Sequence, residues 1–221
     1  MRNRLFLFGA LLSVLCLAAC SGGQDLESKD GFTVLPLAKP GERVATFAGG
    51  CFWAMQECMM QLKGVNTVVS GYAGGTKANP TYDEVLSRKT GHAESVQVYY
   101  NPGLISFEML TRAFFNSHNP TQIDRQGPDI GSDYRSVAFY RTEDERAIIL
   151  KVMNQIDSAG IYTEPIATEL TPFSAFYPAE TEHQDYYRRN TLDPYIRNVS
   201  KPKVMKLRKA MPELIKSEYL N

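Results

Sequence analysis

Charge of one sign is the first thing this sequence lacks: 24 lysines and arginines balance 24 aspartates and glutamates over 221 residues. A neutral surface does not answer a phosphate backbone, so nucleic acid is excluded as a partner class. Histidine is scarce, with only His92, His118 and His183, and neither these nor the four cysteines show metal-ligand spacing. We therefore expect no metal site. The apolar run Leu5 to Leu17 is shorter than the ~20 residues a spanning helix needs, so it does not cross a bilayer comfortably.

That run has signal-peptide length and follows the basic Arg2 and Arg4. It ends Leu17-Ala18-Ala19-Cys20-Ser21, which resembles the bacterial lipobox. Residues 1–19 are then a leader, and Cys20 becomes the lipidated first residue, anchored more firmly than by a single acyl chain. The mature chain keeps 22 cations against 24 anions. Ser21 is not the aspartate that retains lipoproteins at the inner membrane, so an outer membrane, where the host has one, is the expected place, facing the periplasm. Cys16 leaves with the leader and Cys20 is blocked, so only Cys51 and Cys58 remain as thiols. Seven residues along a helix rise about 10 Å, beyond the roughly 7 Å Cα limit for a disulfide. Cys58 reads instead as a small core residue.

Residues 20–42, mixed in Ser, Gly, Lys, Asp and Pro, read as the lipidated cysteine and a flexible tether. Beyond it strands and helices alternate. Strands are expected over Arg43–Ala48, Gly64–Tyr72, Glu94–Tyr100 (half-buried, on its alternation), Ser136–Tyr140 and Pro165–Leu170. Helices are expected over Phe52–Leu62, over Thr81–Ser87 with Asn79 as cap and Pro80 at its first position, over Phe107–Asn116, and from the capping box Thr142–Glu145 to about Ser158. His118–Arg135 is a long irregular stretch of the kind that usually carries function. This is an α+β or α/β domain, one sheet with helices packed on it. The basic tail, 201–221, sets Val204, Leu207, Met211 and Leu214 at helical spacing; we read it as docked on the domain with a solvated basic face rather than lying on a membrane.

Gly49-Gly50-Cys51-Phe52-Trp53 places a thiol at a strand-to-helix turn, beside the single tryptophan. Unpaired N–H groups at a helix start favour the thiolate, the nucleophilic form. Candidate partners lie in the irregular segments: Glu94 in Gly91-His92-Ala93-Glu94, Tyr82 in Asn79-Pro80-Thr81-Tyr82, Asp129 and Tyr134 in Gln126–Arg135, and the dense Phe176–Tyr187. Singly, each has a plain structural reading: a surface glutamate, a core tyrosine, an i, i+3 pair of Glu180 with His183.

Jointly and in this order, together with Gly71-Tyr72-Ala73-Gly74-Gly75, they resemble the A class of peptide methionine sulfoxide reductases over about residues 43–200, the domain we delimit. The resemblance implies a ferredoxin-like α/β plait and reduction of methionine S-sulfoxide, free or in oxidised proteins and peptides. It gives Cys51 the attack on sulfur, Glu94 the proton, Tyr82 and Tyr134 the sulfoxide oxygen, Phe52 and Trp53 the methyl group, and Asp129 a supporting place behind. Cys51 is left as a sulfenic acid. No bound cofactor is implied; an external thiol, from a thioredoxin-like protein or a small molecule, returns the enzyme to its reduced state, and a monomer is expected.

Two departures stand out. The family's Glu three residues after the tryptophan is Gln56 here, with Glu57 one place late. Pro194-Tyr195 is followed by Ile196, not by the resolving cysteine many members carry. From the residues alone, a cysteine hydrolase using one of the three histidines and a non-catalytic binding lipoprotein remain as alternatives.

Overall fold

The structure, a computed structural model, describes residues 24–220. The leader, Cys20 and the first residues of the expected tether lie outside the described residues. Strands β1 (Ser28–Lys29) and β2 (Phe32–Thr33) form a small hairpin. The central sheet is built from β3 (Arg43–Gly49), β4 (Val65–Ala73), β5 (Ala93–Tyr100), β8 (Ser136–Tyr140), β9 (Glu169–Pro172) and β10 (Phe176–Pro178), in the order β10-β4-β5-β3-β8-β9. All neighbours are antiparallel except β8 with β9, so the sheet is mixed. Strands β6 (Arg125–Gln126) and β7 (Asp129–Ile130) make a separate ribbon within the irregular stretch. The helices are α1 (Phe52–Met60), α2 (Tyr82–Leu86), α3 (Phe107–Ser117), α4 (Glu143–Ser158), α5 (Tyr186–Arg189) and α6 (Lys201–Ala210). No described helix is long and apolar enough to cross a membrane. The architecture is α+β, as expected.

The main core lies between the sheet and α1, α3, α4 and α6, and includes Phe47, Met59, Leu62, Phe114, Ile149, Val204 and Leu207. The opposite face of the sheet carries a second cluster, Ala48, Val69, Tyr99, Val137 and Phe139, against which Leu26 and Leu35 pack. These two leucines explain two corrections. The segment from Gln24 is not a free tether: the Gln24 amide donates to Val68 O at 2.8 Å and its carbonyl accepts from Val68 N–H at 2.7 Å, and Thr33 N–H donates to Ala179 O. With both faces covered, β5 is buried at all eight residues rather than half-buried, and its polar Glu94, Ser95 and Gln97 lie inside.

Two boundaries also move. Thr81, not Asn79, caps α2: its hydroxyl accepts from Glu84 N–H while the Glu84 carboxylate accepts from Thr81 N–H. Asn79 adopts φ +46°, turning the chain before the helix instead of entering it. The strand expected at Pro165–Leu170 begins only at Glu169, because Ala167 N–H is spent on Pro120 O in the long loop.

The displaced acid after the tryptophan has its own partner. Gln56 bonds Val68 O, Gln184 Oε1 and Asp185 N–H, stitching α1 to the segment before α5. Glu57, 5% exposed, accepts from Arg188 Nε at 2.6 Å and from the Gln61 amide. Removing one partner of a buried ion pair strands the other, at a cost of about 3–5 kcal/mol. Glu57→Ala should therefore lower stability by about that much in urea unfolding, with an unchanged m-value. A loss under ~1 kcal/mol would mean that the guanidinium finds solvent instead.

Candidate active site

The site forms where the end of β3 meets α1. Gly50 takes φ +82°, and a Cβ there would stand 2.5 Å from Cβ of Gln126; on Gly49 it would stand 2.4 Å from Met55 Cε. The glycine pair lets the turn press against the long loop and against its own helix. Cys51 is the N-cap residue of α1 and 5% exposed. Its helix has no acid in the first turn. The acid comes from the sheet: Glu94 Oε2 accepts from Phe52 N–H at 2.9 Å. One of the unpaired donors of the helix start is thus satisfied across 42 residues of sequence.

Tyr82 and Tyr134 feel the charges of both Glu94 and Cys51, so these four groups lie close together. Phe52 is 1% exposed and packs against Tyr72, Tyr82 and His183, with ring centroids 5.9, 6.3 and 5.4 Å away. Trp53 is half-buried and stacks on Tyr186, 3.8 Å between centroids with the rings nearly parallel. Asp129 sits behind, its Oδ2 accepting from the Tyr195 hydroxyl at 2.7 Å. All seven catalytic and substrate-binding positions read from the sequence are therefore gathered here.

The segment Phe176–Tyr187 was named from the sequence, but the contacts it makes were not legible. Glu180 accepts from the Tyr72 hydroxyl at 2.9 Å and from Tyr82 N–H at 2.8 Å, fixing the tyrosine of α2. Its pairing with His183, at 3.9 Å, is the least of its contacts. Tyr186 and Tyr195, part of the aromatic supply near the C-terminus, reach the site only through tertiary folding. Their one sequence signal was density of tyrosine. Asp133 is 1% exposed, pairs with Arg88 Nε at 3.1 Å, and its charge is felt by Glu94, Tyr82 and Tyr134.

The electrostatics revise one expectation. Burial pushes the Cys51 thiol well up, and a charged Glu94 pushes it further; Tyr195, Lys203 and the Trp53 N–H oppose this and lose. The resting sulfur is a thiol, because desolvation outweighs the helix terminus. Burial likewise raises Glu94, to about 8, against the Phe52 N–H that favours its charged form. Glu94 is therefore protonated at neutral pH. A neutral carboxyl accepts the Phe52 N–H through its carbonyl oxygen and keeps its hydroxyl free to donate. Tyr82 and Tyr134 are held firmly as hydroxyl donors, first by burial and then by Glu94. His118 is buried, with burial lowering its pKa to about 3, and its ring is taken up by Phe114 O and Ser136. It is not positioned as a base for a hydrolase. His92 bonds Gly75 N–H and Lys77 O. No group of His, Cys, Asp or Glu among the described residues could hold a metal ion.

The family model described as peptide methionine sulfoxide reductase matches residues 43–214. The peptide methionine sulfoxide reductase MsrA of Thermus thermophilus is 47% identical over 175 residues, which is 79% of this chain and 98% of that protein. That of Natronomonas pharaonis is 44% identical over 173 residues, covering 78% and 97%. Among solved structures, methionine sulfoxide reductase A of Corynebacterium diphtheriae superposes with TM-score 0.63 at 32% identity, covering 70% of this chain and 78% of that one. Reduced Mxr1 of Saccharomyces cerevisiae gives 0.67 at 31% identity, covering 71% and 91%. A thiol, a neutral carboxyl and two hydroxyls gathered together suit the removal of oxygen from sulfur, and with these likenesses the chain belongs to the peptide methionine sulfoxide reductase family, an oxidoreductase of protein repair.

Proposed function

We propose that Cys51 reduces the S epimer of methionine sulfoxide with Glu94 as proton donor. The observation that carries this is Glu94 itself: buried, protonated at neutral pH, and hydrogen-bonded at the foot of the helix that Cys51 caps. The Cys51 sulfur attacks the sulfoxide sulfur while Glu94 gives its proton to the oxygen, on which negative charge builds. Tyr82 and Tyr134 donate to the same oxygen. Phe52 and Trp53 receive the methyl group, and Asp129 holds Tyr195 behind the thiol. In sum the oxygen passes from methionine to Cys51: methionine sulfur gains two electrons, Cys51 loses two and becomes a sulfenic acid, and the proton of the thiol replaces the one Glu94 gave.

An external thiol then attacks the sulfenic sulfur, water leaves, and a second thiol releases Cys51 from the mixed disulfide. A thioredoxin-like protein or a small thiol fits this step, because Cys58 is buried nearly two turns further along an intact α1, about 10 Å of rise from Cys51. After one equivalent of sulfoxide without reductant, mass spectrometry should find a Cys51 sulfenate; a Cys51–Cys58 disulfide would refute direct external reduction. A dithiothreitol-dependent assay with both sulfoxide epimers tests the reaction, and turnover of the R epimer alone would overturn it.

We further read the sheet core as a ferredoxin-like plait, supported by the antiparallel run β4-β5-β3-β8 and by α1 and α3 as its connecting helices. The protein acts as a monomeric lipoprotein: leader 1–19, lipid on Cys20, a catalytic domain over 43–200 and the basic segment 201–221 packed on it. It repairs oxidised envelope proteins from the periplasmic face of the outer membrane where the host has one. Metabolic labelling with a fatty-acid analogue, lost in Cys20→Ala, tests the anchor.

A further inference from the structure

The sequence divides the basic tail from the site, and the structure joins them at one atom. Nζ of Lys203 in α6 is buried and makes no hydrogen bond. It lies 3.6 Å from Asp129 Oδ2, and a Cβ on Gly50 would stand 3.5 Å from it. Its basic neighbours on the helix are spent structurally: Lys206 donates to His118 O and to the Tyr162 hydroxyl, and Arg208 to Gln61 Oε1. A buried ammonium without hydrogen bonds is costly, and fold stability gains little from it. Its position beside the residue before Cys51 points to chemistry.

We propose that Lys203 is a positioning residue for the reduction, acting on Cys51 through Asp129 and Tyr195. The Tyr195 hydroxyl stands between Asp129 Oδ2, 2.7 Å away, and the Cys51 sulfur, and it has one proton to give. Given wholly to the Asp129 carboxylate, that proton leaves only a lone pair toward sulfur, which suits a thiol. With the ammonium satisfying Asp129, the proton is released to turn toward Cys51 and stabilise the thiolate. Lys203 also sets its own positive charge against the carboxyls of Glu94, Asp129 and Asp133.

The groups facing Cys51 are Glu94 from β5, Tyr82 from α2, Tyr134 from the turn after β7, and Tyr186 and Tyr195 from the C-terminal segment. Asp129 and Asp133 stand behind them, and His118, which faces Lys203, is uncharged. The inference rests on Cys51 as nucleophile, so its test reads the thiol without any sulfoxide.

Iodoacetamide alkylation, followed by mass at the Cys51 peptide across pH, is compared in wild type, K203M, K203Q and K203R, with circular dichroism as a check of folding. At pH 7.5 the Met and Gln variants should alkylate about tenfold more slowly, with the profile moved about one unit alkaline. The Arg variant should recover to within about threefold. In a Tyr195→Phe background, K203M should change the rate by less than about threefold, since the relay is already cut. An unmoved profile in K203M, an Arg variant as slow as Met, full additivity with Tyr195→Phe, or failure of both neutral variants to fold would each overturn the proposal. Loss of sulfoxide specificity with an intact Lys203 effect would instead strike the reaction proposed for the site.

Discussion

Cys51→Ser should abolish sulfoxide reduction, lowering single-turnover rate by about 10⁵-fold or more, the scale on which loss of a nucleophile falls. The serine hydroxyl is a far weaker nucleophile, and nothing nearby makes it an alkoxide: Glu94 is protonated at neutral pH and His118 is neutral and occupied. No second thiol substitutes, because Cys58 is fully buried in the main core. Stopped-flow or quenched formation of methionine from its S-sulfoxide, without reductant, reads this directly. Retention of even a tenth of wild-type rate would remove Cys51 from the reaction and assign it to another group.

Glu94→Gln should cost about 10²–10⁴-fold in the same single turnover, the usual contribution of a positioned proton donor. The amide carbonyl still accepts from Phe52 N–H, so α1 starts as before and Cys51 remains alkylable. The pH dependence separates the roles. In wild type the rate should fall as pH rises through about 8, where Glu94 loses its proton; the glutamine variant has no such arm. Stability follows the same group with a definite sign. Its folded pKa is raised from 4.5 to about 8, so the contribution of the bound proton is complete below pH 4.5 and is lost as pH climbs through 8. Thermal scans should show wild type weakening relative to Glu94→Gln between those values. A parallel pair of curves would mean that Glu94 is ionised at rest and gives no proton.

Local signals marked α1, α3 and α4 because their apolar spacing and caps are written within a few residues, as with Ser106 accepting from Met109 N–H and Thr142 from Glu145 N–H. Where the winning partner was remote, local reading erred. Asn79 looked like a cap until the Thr81–Glu84 box and the Glu180 anchor on Tyr82 moved the helix start. Residues 24–42 looked like a tether because their apolar residues are sparse, yet Leu26 and Leu35 close the second face of the sheet.

What the sequence determined alone was the set of candidate groups: one cysteine at a glycine turn with two aromatics, and an ordered series of motifs carrying Tyr82, Glu94, Asp129 and Tyr134. Residue type and order are properties of the chain, and chemistry is constrained by them directly. The protonation states were decided only by the fold. Desolvation of Cys51 and Glu94 depends on which strands and loops cover them, and it reversed the thiolate expected from the helix end. The fold also decided which distant groups surround the thiol. Glu180, Tyr186, Tyr195 and Lys203 come from the last quarter of the chain, and no periodicity reports a contact made across more than a hundred residues.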